Sequence, residues 1–132
     1  MNNKQRLLIV DDTTANIKIL VDALRSEYAI SAATNGEDAL KIAASPNKPD
    51  LILLDIMMPE KDGFITCGEL KKKPETSSVP IIILTSIESS SLVFPDAESA
   101  ADSPHADEYI DKPVDPNFLL KRVDRLLKKS QP

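Results

Sequence analysis

The chain has 132 residues, of which 42% are hydrophobic and 28% charged, with a formal net charge of −5 and a pI near 4.9. That length suits one domain with a sizeable core, the composition excludes a disordered chain, and the acidic balance argues against direct nucleic-acid binding, which needs a basic face. A single cysteine, Cys67, excludes an internal disulfide; no apolar run approaches the roughly 20 residues of a membrane span, and the start MNNKQR has no signal-peptide core, so a cytoplasmic domain without membrane insertion is expected.

In chain order, LLIV at 7–10 is the first strand, an uninterrupted apolar run of the kind expected when both faces of a parallel sheet are covered. Ile17, Leu20, Val21 and Leu24 then recur at helical spacing and predict an amphipathic helix over 14–26. YAISAA at 28–33 is closer to alternating and suits an edge strand. After an Asn-Gly turn, GEDALKIAA at 36–44 predicts a helix that buries Leu40, Ala43 and Ala44.

LILL at 51–54 and IIIL at 81–84 are further buried strands, with a helix expected between them over 64–72, where Cys67 reads as a small semi-buried apolar residue. The segment between IIIL and EYI (108–110) contains Pro95 and Pro104, and a proline inside a helix costs about 3 kcal/mol. Only a short helix near 96–102 is expected there, with sole histidine His105 in a solvated loop. The last helix opens with Asp115 as N-cap and Pro116 at its first position, and carries Phe118, Leu119, Val123, Leu126 and Leu127 on one side. Strands alternating with helices predict a doubly wound α/β sandwich, and no linker is long enough to divide it.

In such folds ligands sit at the carboxyl ends of the strands. The first run ends in Asp11 and Asp12, LILL in Asp55, IIIL in Thr85 and Ser86, and EYI in Asp111, Lys112 and Pro113. Each has a structural explanation when taken alone: Asp12 as the N-cap of the first helix, Asp55 as a turn cap, Thr85 as a strand-end hydroxyl, Lys112 as a solvated cation. Together those explanations need a coincidence at one rim. Three carboxylates within about 4–6 Å repel by about 1–4 kcal/mol per pair, and a divalent cation with oxygen ligands, Mg²⁺, relieves that repulsion. A carboxylate nucleophile, a metal, a cation and a hydroxyl donor are what phosphoryl transfer to an aspartate requires.

Four segments in this order, LLIVDD, LILLDIMMPEKDG, IIILTS and EYIDKPV, resemble the signature segments of two-component response-regulator receiver domains. The resemblance covers residues 5–129 of a single domain spanning 1–132. It implies the flavodoxin/CheY-like (βα)5 fold, with five parallel strands ordered 2-1-3-4-5. It implies that Asp55 accepts the phosphoryl group, that Asp11, Asp12, Asp55 and the backbone carbonyl of Met57 hold Mg²⁺, with Asp11 acting largely through water, and that Thr85 and Lys112 contact the phosphoryl group. Tyr109 takes the place of the switch aromatic, which turns inward as Thr85 moves, and the Lys112–Pro113 bond would be cis. The implied partners are a sensor histidine kinase or histidine phosphotransfer protein and a downstream effector. The domain would be a signalling module with weak self-catalysed transfer and dephosphorylation rather than an enzyme.

The interval from Thr85 to Lys112 is longer than usual for the family, and His105-Ala106 replaces a common Gly-Ala, so an atypical fourth-helix region is expected. Met57 and Ile87, each two residues beyond a site residue, are expected to shield an acyl phosphate from water. The alternative is a receiver-like interaction module that signals without phosphate. A haloacid-dehalogenase-type hydrolase is disfavoured because Asp55 is followed by Ile56 and Met57 rather than a second acid, and a nucleotide site because no Gly-rich loop follows the first strand. The chain reaches KKSQP just after the last helix, so no effector is expected within it, whether it is a stand-alone receiver or one domain of a longer protein.

Overall fold

All three uninterrupted apolar runs become inner strands of one parallel sheet. The computed structural model describes residues 4–46, 48–55, 63–74, 76–85, 107–111 and 115–130. The strands β1 (Arg6–Val10), β2 (Ala29–Ala33), β3 (Leu51–Asp55), β4 (Ile81–Thr85) and β5 (Glu108–Asp111) pair in parallel in the order β2-β1-β3-β4-β5. The helices α1 (Thr14–Leu24), α2 (Gly36–Ala43) and α3 (Gly63–Lys72) alternate with the first four strands, and a C-terminal helix spans Pro116–Ser130. The chain has the flavodoxin/CheY-like architecture that its motifs implied.

Period-2 alternation divides the runs between two cores. Leu8, Val10, Ile52, Leu54, Ile81 and Ile83 face Ala39 and Ala43 of α2 and Leu70 of α3. Leu7, Ile9, Leu51, Leu53, Ile82 and Leu84 face Leu20 and Leu24 of α1 and Leu119, Val123 and Leu127 of the C-terminal helix. Every side chain of β3 is buried, including its last, Asp55. At about 1.5–3 kcal/mol per fully buried aliphatic side chain, these residues dominate the stability of the sheet that carries the rim.

Helix starts follow local chemistry. The Asn35 side chain accepts from the Asp38 N–H at 2.8 Å and donates back to the Asp38 carboxylate at 3.1 Å, a reciprocal cap. Asn35-Gly36 is therefore an N-cap and a buried first helical residue rather than a free turn. Asp115 caps the C-terminal helix as its sequence predicts, its Oδ1 accepting from the Asn117 N–H at 3.1 Å.

Three expectations need correction. The helix over 14–26 stops at Leu24, because residues 25–27 turn back to deliver Tyr28 to the core. In α2 the buried residues are Gly36, Ala39 and Ala43, with Leu40 half-buried and Ala44 exposed, since Ala44 is already the C-cap. Phe118 is not in the core: it is 41% exposed, and the Arg122 guanidinium lies 4.9 Å from its ring centre while pairing with Glu108 of β5 at 3.1 Å. Leu126 is half-buried and packs against the margin of that core, so the fully buried stripe is the narrower Leu119, Val123 and Leu127. The expected short helix near 96–102 lies outside the described residues.

Candidate functional site

β1 and β3 are neighbours at the centre of the sheet, registered Val10 with Leu54, so the next residues, Asp11 and Asp55, emerge side by side at the carboxyl rim. Both are almost fully buried, at 1% and 4% exposure, whereas Asp12 is exposed. One carboxylate oxygen from each of the three lies within 4.8 Å of the others. Such a grouping costs about 1–4 kcal/mol per like-charged pair at intermediate dielectric, with the lower end for pairs that include solvent-screened Asp12.

Local backbone geometry presents these acids. The Asp11 N–H donates to the Ala33 carbonyl at 3.1 Å, extending the β1–β2 ladder by one residue, and Asp11 Oδ1 accepts from the Thr13 N–H at 2.9 Å. This side-chain turn two residues on is a common use of Asp, and it holds the carboxylate at the entrance to α1. The Thr13 hydroxyl donates to Asp12 Oδ1 at 3.3 Å. Thr13, not Asp12, stands at the N-cap of α1, and its own side chain makes no capping bond. The capping explanation of Asp12 is thus set aside, leaving its carboxylate available to the rim. Thr13 has no expectation attached to it in the sequence; the signal for the turn is the Asp at the strand end, whose side chain reaches the backbone N–H two residues on.

The donor set is oxygen-only, anionic and concentrated on one side, which fits a hard divalent cation better than a soft metal. Asp55 ends a fully buried strand, and Asp11 and Asp12 meet it from the residues that directly follow β1.

Other candidates are only partly placed. Thr85 is the last residue of β4, one beyond the Leu84 that pairs with Asp55, and Thr85 pairs with Asp111 of β5. Both are described by their backbones. Tyr109 lies on β5 with its side chain 41% exposed. Met57, Ile87, His105, Lys112 and Pro113 lie outside the described residues, as does the side chain of Cys67 within α3.

Comparison with known proteins gives a consistent result. The family model for the response regulator receiver domain matches residues 7–124. The chain is 38% identical over 122 residues to the response regulator PleD of Caulobacter vibrioides, covering 92% of this chain and 26% of PleD. It is 36% identical to the histidine kinase P4 of Formosa agariphila, covering 94% of this chain and 9% of that protein. The chain therefore spans only a fraction of these relatives. Among solved structures, the receiver domain of a signal transduction histidine kinase from Syntrophus aciditrophicus superposes with a TM-score of 0.81 at 31% identity, over 95% of this chain and 91% of that one. A CheY-like response regulator receiver domain protein from Methanospirillum hungatei gives 0.79 at 27% identity, over 97% of each chain.

Proposed function

Because this chain belongs to the response regulator receiver-domain family, we propose that it is a phosphoacceptor switch in which Asp55 takes a phosphoryl group from a phosphohistidine. The observation that carries this reading is the approach of Asp11, Asp12 and Asp55 within 4.8 Å at the rim, with Asp55 at the end of a central buried strand. Asp11, Asp12 and Asp55, with the Met57 carbonyl, would hold Mg²⁺, which when bound neutralises charge on the carboxylates and on the transferring phosphoryl oxygens.

The chain's own residues do the rest. An Asp55 oxygen attacks phosphorus in line; the P–N bond of the donor breaks, its electron pair returns to the imidazole, which takes up a proton, and an acyl phosphate remains on Asp55. Lys112 meets the negative charge of the phosphoryl oxygens, and the Thr85 hydroxyl donates to one of them. Thr85 and Tyr109 lie on adjacent strands, β4 and β5. A Thr85 drawn to the phosphate opens room that the Tyr109 ring fills from its exposed position, shifting the population of two states of the β5 surface. Only contacts that differ between those states move the equilibrium.

A sensor histidine kinase or histidine phosphotransfer protein is the donor in this reading and an effector the receiver of the signal, in the cytoplasm. The names of the relatives, a response regulator and a histidine kinase, support this. The domain catalyses its own phosphorylation and dephosphorylation weakly and is not otherwise an enzyme.

Intact mass after incubation with acetyl phosphate, with and without Mg²⁺ and beside Asp55→Asn, tests the reading. One added phosphoryl group that requires Mg²⁺ and is lost in Asp55→Asn is expected. A folded chain that takes none, from acetyl phosphate or from a phosphorylated histidine phosphotransfer protein, would leave the phosphate-independent module as the better description.

A further inference from the structure

β5 has to bring its last residues to the rim, yet the core specifies its position only weakly. It is an edge strand of four residues, and among its described side chains Ile110 is buried, Glu108 half-buried and Tyr109 exposed. Residues 86–106 separate β4 from Asp107, and over a connection of that length the entropy of closure barely changes with one residue more or less. A one-residue slip would move everything after it by about 3.3 Å and turn each side chain to the opposite face.

The structure supplies a constraint at the opposite pole of the sheet. The Asp107 N–H donates to the Ile81 carbonyl at 2.9 Å, and Asp107 Oδ2 accepts from the Ile81 N–H at 2.8 Å. The same Oδ2 receives Lys71 Nζ at 3.1 Å, and that ammonium also donates to the carbonyls of Val79 at 3.0 Å and Ser77 at 3.4 Å. One carboxylate thus holds the end of α3, the entry of β4 and the entry of β5. The arrangement is specific to register: a slip would bring Ala106, which has no acceptor, or the longer Glu108 opposite Ile81. The part-exposed ion pair alone contributes little, but the carboxylate on a strand-entry N–H fixes a position.

We propose that Asp107 is a positioning residue for phosphoryl transfer, fixing β5 against β4 so that Asp111 and the Lys112 that follows it reach the rim beside Thr85. This rests on the receiver reading above. Asp107 touches no reacting atom and acts through what β5 carries.

The test compares phosphorylation by acetyl phosphate in the native chain, Asp107→Ala, Asp107→Asn and Lys71→Met, with Mg²⁺ affinity measured alongside. Misplacement by a fraction of a residue is expected to lower the maximal rate of Asp107→Ala by about tenfold or more. Mg²⁺ affinity should be unchanged, because Asp11 and Asp12 directly follow β1 and Asp55 ends β3, away from the clamp. Asp107→Asn, whose amide oxygen still accepts from Ile81, should restore most of the rate, and Lys71→Met should lose less than Asp107→Ala. In a Lys112→Ala background Asp107→Ala should have no further effect, as expected of residues acting as one unit. A native rate in Asp107→Ala, an equal fold-loss with and without Lys112, or a parallel loss of Mg²⁺ affinity would overturn the inference while leaving the receiver reading intact. If Asp107→Ala does not fold, Asp107→Glu, whose longer side chain cannot hold the Ile81 N–H in the same register, would overturn it equally by phosphorylating at the native rate. No transfer in the native chain would overturn the reading and this inference together.

Discussion

Asp11 shows how a single residue serves the backbone and a candidate site at once. Its backbone extends the β1–β2 ladder, one carboxylate oxygen fixes the Thr13 N–H, and the side chain still lies in the acidic group. Without metal that group is strained by like charge, so Asp55→Asn should stabilise the Mg²⁺-free chain by about 1–2 kcal/mol in urea unfolding. Saturating Mg²⁺, at a hundredfold excess over Kd, should stabilise the native chain by about 2.7 kcal/mol and the variant distinctly less. A variant less stable than native without metal would remove the electrostatic argument. Tyr28 gives a second test at this scale. Burial first, then the nearby negative charges of Asp124 and Glu27, hold its phenol protonated above the ordinary value of 10.0. The folded chain therefore keeps a proton that the unfolded chain releases, so the contribution is complete below pH 10 and declines as pH rises from there through the folded-state value. Stability measured from pH 9 to 11.5 should fall less steeply in Tyr28→Phe than in the native chain; identical alkaline limbs would show that Tyr28 does not carry the effect.

Elements differ in how far local sequence decided them. LILL followed by Asp55 announced a central strand ending in an acid, because only a strand covered on both faces is apolar at every position. Asp115-Pro116 announced a helix start, and Asp115→Ala should cost about 1 kcal/mol by loss of the bond to Asn117. An unchanged urea midpoint in that variant would mean that packing alone sets the helix start. In the core, Leu53→Ala should cost about 2–5 kcal/mol, since Leu53 is fully buried on the strand that carries Asp55. Helical faces were less legible. Phe118 and Leu126 share the periodicity of Leu119 and Val123, yet the cation–π contact with Arg122 and the pairing of Arg122 with Glu108 settle Phe118 outside the core. The Arg122–Glu108 pair joins the C-terminal helix to β5, which helical periodicity does not register. The Asp107–Ile81 clamp, 26 residues apart, was invisible for the same reason.

At the scale of the whole molecule, the sheet order places the two acid-bearing strands, β1 and β3, together at the centre and the strands leading to Thr85 and Lys112 to one side. The rim was legible because a parallel sheet delivers every strand end to one edge, and the residues at those ends were read directly from the sequence. The carboxylates gather at the rim beyond β1 and β3, and the Lys71–Asp107 clamp holds β4 and β5 at the opposite pole of the sheet. The most direct measurement of the central claim is to identify which carboxylate carries the phosphoryl group. After phosphorylation in Mg²⁺, borohydride reduction of the acyl phosphate and tandem mass spectrometry should find homoserine at position 55 alone, and none when Mg²⁺ is withheld. Homoserine at position 11 or 12, or labelling at 55 that is indifferent to Mg²⁺, would contradict the division of roles between Asp55 as nucleophile and Asp11 and Asp12 as metal ligands.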